Sequence, residues 1–152
     1  MTPNLVSERV VLTRLELIER LVADVRKLPL DRPQAFYADT RNVWTAESCL
    51  RRMLEALLDI GRHILAKGYG LGATEYREIA QMLHASQVLD AEEERLLAQM
   101  AGYRNRMVHL YHQISHEELY QIAAERLGDV ERIAKAYRRW LHTHPERVDR
   151  TL

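Results

Sequence analysis

Apolar residues recur every three or four positions through most of this chain, the spacing of amphipathic helices rather than of strands. Val11, Leu15, Ile18, Val22 and Val25 form the first stripe, with Ser7 placed to cap it and Pro29 to stop it, so a helix over about residues 8–28 is expected. Leu30 to Ala38, following Pro29 and containing Pro33, reads as a connector or short turn. Val43, Ala46, Leu50, Leu54, Leu57, Ile60, Ile64 and Leu65 predict the longest helix, from about Thr40 to Lys67. Gly68-Tyr69-Gly70-Leu71-Gly72 then forms a flexible turn. With no Gly-Lys-Ser/Thr after it and no strand before it, this segment is not read as a phosphate loop.

Thr74 is placed to cap a short helix through His84. Asp90 and Glu93 have capping-box spacing and start a helix carrying Leu96, Leu97, Met100, Tyr103 and Met107. Ser115 and Glu118 repeat that spacing before a last helix whose stripe runs through Leu119, Ile122, Ala123, Val130, Ile133 and Tyr137 to about Leu141. The polar tail from about His142 is expected to fray. These elements predict an all-α bundle of four main helices plus a short one, in a single domain spanning residues 1–152 and free of internal repeats. A bundle alone assigns no function.

Composition supports helices, because Leu, Ala, Glu and Arg abound and only Phe36, Trp44 and Trp140 join the tyrosines as aromatics. Lys+Arg and Asp+Glu are both 22, so no overall field draws the chain to nucleic acid or an anionic membrane, and any RNA contact must be local. Nearly all the basic residues are Arg, since Lys27, Lys67 and Lys135 are the only lysines, and Arg is the better bidentate ligand for phosphate. The single cysteine, Cys49, excludes an intrachain disulfide and fits a reducing cytoplasm. No apolar run reaches membrane-spanning length, and Met1-Thr2-Pro3-Asn4 lacks the features of a signal peptide, so neither a membrane nor export is expected.

Candidate chemistry concentrates in Arg104-Asn105-Arg106-Met107-Val108-His109-Leu110-Tyr111. Asn105 and His109 are four apart and share a helical face, with Arg104 on the neighbouring strip. Metal-free RNA cleavage needs a base for the 2′-hydroxyl, an acid for the departing 5′-oxygen and a cation facing the charge on phosphorus. Imidazole performs either proton transfer, and guanidinium presents a charged fork to phosphate oxygens. One histidine is short of an acid–base pair, which two copies of the segment meeting across a two-fold axis would supply. Tyr111 is two residues beyond His109 and suits a rim or regulatory position.

The arrangement Arg104-Asn105, His109 and Tyr111, with Val108 before the histidine, resembles the Arg-Asn-x-x-x-His-x-Tyr pattern of HepT-like HEPN toxins. The resemblance extends to Glu55-Ala56-Leu57-Leu58-Asp59-Ile60-Gly61-Arg62-His63-Ile64, to Tyr76-Arg77-Glu78 and to the helices that follow. It implies a HEPN-type helical-bundle homodimer whose paired Arg104 and His109 residues form a metal-independent ribonuclease cleft without a cofactor. It also implies a cognate MntA-like nucleotidyltransferase antitoxin that adds AMP to Tyr111.

Asp59 and Glu55 lie one turn apart, and either could orient Arg104; Asp59 is favoured here, with Asn105 as the other supporting residue. His109, His112 and His116 invite a zinc reading, but a helix start at Ser115 separates the last two and no thiol joins them, so no metal site is expected. Arg51-Arg52 and Arg138-Arg139 either extend a phosphate-binding surface or form solvated helix faces, and Arg106 has the same two readings. The competing function is a noncatalytic helical partner that docks a nucleotidyltransferase and positions its substrate. The intact Arg104, Asn105 and His109 set favours the toxin-type ribonuclease.

Overall fold

The computed structural model describes residues 4–109 and 114–151. Seven α-helices are formed among them: α1 (Glu8–Arg26), α2 (Pro33–Ala38), α3 (Thr40–His63), α4 (Tyr76–Ala85), α5 (Ala91–Val108), α6 (His116–Glu125) and α7 (Leu127–Thr143). The all-α bundle expected from the apolar spacing is therefore present, with more breaks than the spacing shows.

The longest helix, α3, is the spine: α1 lies along it, and α2, α4, α5, α6 and α7 all touch it. Its Leu50, Met53, Leu54, Leu57, Leu58 and Ile60 are buried, so α3 meets neighbours on much more than one narrow stripe. Gly61 allows a close approach of α4 and α7. A Cβ there would stand 2.8 Å from Leu83 Cδ1 and 2.9 Å from both Ile79 Cγ2 and the Tyr137 hydroxyl. That hydroxyl is fully buried and donates to the Leu57 carbonyl at 2.9 Å, tying α7 to α3.

Local signals fix several ends. The Ser7 hydroxyl accepts from the Val10 amide at 3.2 Å and caps α1. Asp90 and Glu93 form a reciprocal capping box, with bonds of 2.8 and 2.9 Å, and the buried Glu93 also meets Arg139 of α7 at 3.1 Å. This anchors the start of α5, whose other end carries the candidate motif. Ser115 accepts from the Glu118 amide at 3.1 Å, but the Glu118 carboxylate is turned to Arg106, leaving half of the expected second box.

Several expectations need correction, among them the start of α4, where Glu75 rather than Thr74 stands at the cap and makes no side-chain capping bond. The connector contains a helix, α2, because Pro33 enters at a first-turn position where its missing amide costs nothing and Phe36 is buried beneath it. The long helix ends at His63 and continues as a π-turn over Ile64–Gly68, so only its last stretch departs from the expected span. The last helix is two, because Gly128 and Asp129 just after Arg126 are weak interior helix formers, while the apolar period passes through the break undisturbed.

The tail, expected to fray, is instead held. A 3-10 turn over Pro145–Arg147 leads into β2 (Val148–Asp149), which pairs in parallel with β1 (Val6–Ser7) as Val6 to Val148 and Ser7 to Asp149. Arg147 donates to the Gly68 carbonyl and lies over the Tyr69 ring at 4.3 Å, and the Asn4 amide donates to the Lys67 carbonyl at 2.7 Å. The chain ends thus satisfy backbone acceptors that the π-turn leaves over, and they bury Val6 and Val148. No helix of the described residues is long and apolar enough to cross a membrane.

Candidate active site

Arg104 and Asn105 reach an open cleft of about 580 Å³ from the last turn of α5, and His109 reaches it from the helix end. Arg62 closes the cleft from α3, and Thr74, Glu75, Tyr76 and Arg77 line it from the start of α4. The expected grouping of cation, amide and imidazole is therefore brought together. His109 is already extended, with φ −89° and ψ 122°, while its amide still donates to the Asn105 carbonyl at 3.0 Å. Helix geometry thus carries the motif only as far as this amide, and the exposed His109 side chain leaves from the cap. Leu110 to Gln113 lie outside the described residues, so Tyr111 and His112 receive no structural placement.

Arg104 is held from three sides. Its Nε donates to Glu55 Oε1 at 3.3 Å, its Nη1 to Asn105 Oδ1 at 3.3 Å, and its guanidinium carbon lies 4.6 Å from the centroid of the Tyr76 ring. Glu55, not the favoured Asp59, is therefore the carboxylate on Arg104. The reason is that Tyr76 stands between them: its hydroxyl donates to Asp59 Oδ1 at 2.9 Å, while Arg62 Nη1 lies 3.5 Å from the same oxygen. Asp59 supports Arg104 indirectly, by fixing the ring on which the guanidinium rests. Burial, and then the hydrogen bond to Asp59, raises the Tyr76 phenol above its ordinary pKa, so it stays protonated and donating near neutrality.

The cleft is rich in cations, but they are unequally engaged. Arg77 is paired to Glu75 at 2.6 Å. Arg51 shares Glu55 with Arg104, at 3.6 Å. Arg106 points away, clamping Glu118 of α6 with both terminal nitrogens, which joins α5 to α6. Arg138 and Arg139 pair with Glu19 and Glu93, so this basic pair ties helices together and contributes nothing to the cleft lining. Among the described residues, no group of three or more His, Cys, Asp or Glu side chains is placed to hold a metal ion.

Tyr76 and Arg62 are the site residues that sequence reasoning did not assign. Both stand in segments that carried the resemblance, yet helical spacing alone cannot bring α4 onto α3, because the intervening turn folds back without a periodic pattern. Gly70, at φ 67°, supplies a left-handed residue in that turn.

Comparison with known proteins identifies the family and the fold. The family model described as "Ribonuclease HepT-like" matches residues 12–137. A tRNA nuclease HepT from Aphanizomenon flos-aquae (strain 2012/KM1/D3) is 29% identical over 112 residues, covering 73% of this chain and 76% of the relative. The fold is shared with a tri-AMPylated Shewanella oneidensis HEPN toxin solved in complex with an MNT antitoxin, with TM-score 0.78, 21% identity and coverage of 86% of this chain and 97% of that one. It is shared also with YutE, a cytosolic protein of unknown function from Bacillus subtilis, with TM-score 0.76, 19% identity and coverage of 91% of this chain and 93% of that one. The matched span takes in α3, α4, α5 and the cleft between them, and the chain belongs to the ribonuclease HepT-like family.

Proposed function

We propose that this chain is a toxin-type endoribonuclease that cleaves RNA in the cleft lined by Arg104, Asn105 and His109. The observation that carries the reading is their convergence on one open cleft, with Arg104 preset by Glu55, Asn105 and Tyr76 before any substrate arrives. A cation fixed in advance stabilises transition-state charge without reorganising during the reaction. In the proposed step, a 2′-oxygen attacks the adjacent phosphorus as its proton passes to a base. The bond from phosphorus to the 5′-oxygen breaks, and an acid returns a proton to that oxygen. The products are a 2′,3′-cyclic phosphate and a 5′-hydroxyl end.

His109 takes one of the two proton transfers, and the second His109 of a two-fold dimer takes the other. Arg104 faces the phosphoryl oxygens, so protons and charge both come from side chains and the reaction is metal-independent. The name of the Aphanizomenon relative makes tRNA the first substrate to test.

Control is proposed to lie with a nucleotidyltransferase antitoxin of the MNT type, which partners the Shewanella toxin, acting on Tyr111. An added AMP brings a negative charge and a bulky nucleoside two residues from His109, where it repels and obstructs an RNA backbone. The docking-partner alternative predicts antitoxin binding without cleavage. The deciding experiment compares tRNA with the same sequence carrying 2′-fluoro groups. Cleavage of the first alone, leaving cyclic phosphate ends, supports the reading; cleavage of neither, or of both alike, overturns it.

A further inference from the structure

Arg62 is held less firmly than several other arginines of this chain. Arg26, Arg41, Arg95 and Arg106 each commit two nitrogens to one carboxylate. Among the described residues, Arg62 meets one carboxylate oxygen, that of Asp59, at 3.5 Å, beyond good hydrogen-bond length and shared with the shorter bond from Tyr76. Its Nε is buried and makes no hydrogen bond to the described residues. Its guanidinium carbon lies 4.8 Å from the centroid of the same Tyr76 ring that carries Arg104 at 4.6 Å. Two cations are therefore gathered at one aromatic ring lining an open cleft, while Arg104 shares Glu55 with Arg51 and Arg62 shares Asp59 with the Tyr76 hydroxyl. An anion entering the cleft would meet both cations, which like charge sets against each other. The ring's negative face favours each cation, and Asp59 braces the ring through its hydroxyl.

We propose that Arg62 is a second phosphate ligand of the cleft, binding the backbone phosphate next to the one met by Arg104, with Tyr76 as the shared platform that sets the spacing of the two. This rests on the ribonuclease reading for its choice of anion, a single-stranded RNA backbone. Arg62 is a substrate-positioning residue, so its contribution falls on binding rather than on the proton transfers.

The test measures binding of a 2′-fluoro RNA oligonucleotide by fluorescence anisotropy over a range of salt, and KM and kcat on the cleavable RNA. For Arg62→Gln, binding weakens about tenfold and the slope of log affinity against log salt flattens by about 0.7, the loss of one single-strand phosphate contact. KM rises accordingly, while kcat stays within about threefold of the parent. Arg62→Lys keeps the salt slope. Tyr76→Leu, which removes the platform under both cations, weakens binding and lowers kcat together. On the parent chain, the oligonucleotide should protect Arg62 from phenylglyoxal, read by peptide mass, which keeps the test independent of whether a variant folds.

Unchanged affinity and salt slope in Arg62→Gln, or labelling of Arg62 that the oligonucleotide leaves unaltered, overturns the second phosphate site. Failure of the parent to bind the oligonucleotide overturns it as well. Binding that still depends on Arg62 in a chain that cleaves no RNA supports the anion site and removes the ribonuclease reading alone.

Discussion

Glu55 Oε1 lies 3.3 Å from Arg104 Nε, joining the middle of α3 to the end of α5 beside the cleft. Both side chains are about a quarter exposed, at 27% and 23%, so the pair is worth about 1 kcal/mol, or roughly fivefold in rate if all of it goes into orienting Arg104. Glu55→Ala should lower kcat/KM for RNA cleavage by about that factor with little change in thermal stability. Glu55→Gln, which still offers an acceptor to Nε, should lose less. A rate unchanged in Glu55→Ala would mean that Tyr76 and Asn105 hold Arg104 without it.

At Gly61 three side chains from α4 and α7 stand within 3 Å of where a Cβ would be. Replacing it with Ala drives a methyl against Leu83, Ile79 and the Tyr137 hydroxyl, and that hydroxyl cannot retreat without giving up Leu57. Gly61→Ala should cost about 1–3 kcal/mol through overpacking, against a small gain in helix propensity. Chemical denaturation reads this directly; a variant as stable as the parent would show that α4 and α7 can shift away from α3 freely.

Gln87 occupies a left-handed conformation, φ 64°, where α4 ends. The Val88 amide returns to the Leu83 carbonyl at 2.8 Å and the Gln87 amide to His84 at 3.0 Å, a Schellman closure in which glycine is the usual residue. Gln87→Gly should therefore stabilise the chain by about 0.5–1 kcal/mol, raising the melting temperature by about 2–3 °C. A lower melting temperature would place the backbone-entropy penalty of glycine above the relief of strain.

His63 is a pH-sensitive contact. Its Nε2 accepts the Ser7 amide at 3.1 Å, which requires a neutral ring with its proton on Nδ1. Burial first, then the charges of Arg14 and Lys67, lower its pKa in the folded chain. The unfolded chain, titrating near 6.5, thus binds more protons in the window below that value. This contribution to stability is fully present above about pH 6.5 and is lost as the pH falls through the folded value. Urea unfolding at pH 8 and pH 5.5 should show a larger loss for the parent than for His63→Gln, which keeps an acceptor and does not titrate. Equal losses would remove His63 as the source.

Much of this architecture was legible from local chemistry. The capping box at Asp90 and Glu93 specifies the start of α5, and apolar spacing identifies α1 and most of α3, because short-range hydrogen bonding and periodic burial are written in adjacent residues. The break at Arg126 was not legible, since Leu119, Ile122, Ala123, Leu127 and Val130 keep one period across it. Nor was the holding of the tail, which depends on contacts to residues such as Tyr69 and Gly68 that are far away in sequence. At the cleft, Arg104, Asn105 and His109 could be grouped because one helix and its cap place them. The choice between Glu55 and Asp59 depended on Tyr76, delivered by a different helix.

The central claim is that Arg104 and His109 cut RNA together in this cleft, and product-resolved cleavage of tRNA by the parent, Arg104→Ala and His109→Ala chains in EDTA tests it most directly. The account predicts cyclic phosphate ends from the parent in EDTA, and losses of roughly 100-fold or more in each folded variant, the scale of a missing proton-transfer or charge-stabilising group. Cleavage by folded His109→Ala at the parent rate, or parent activity that vanishes in EDTA and returns with a divalent ion, would contradict it.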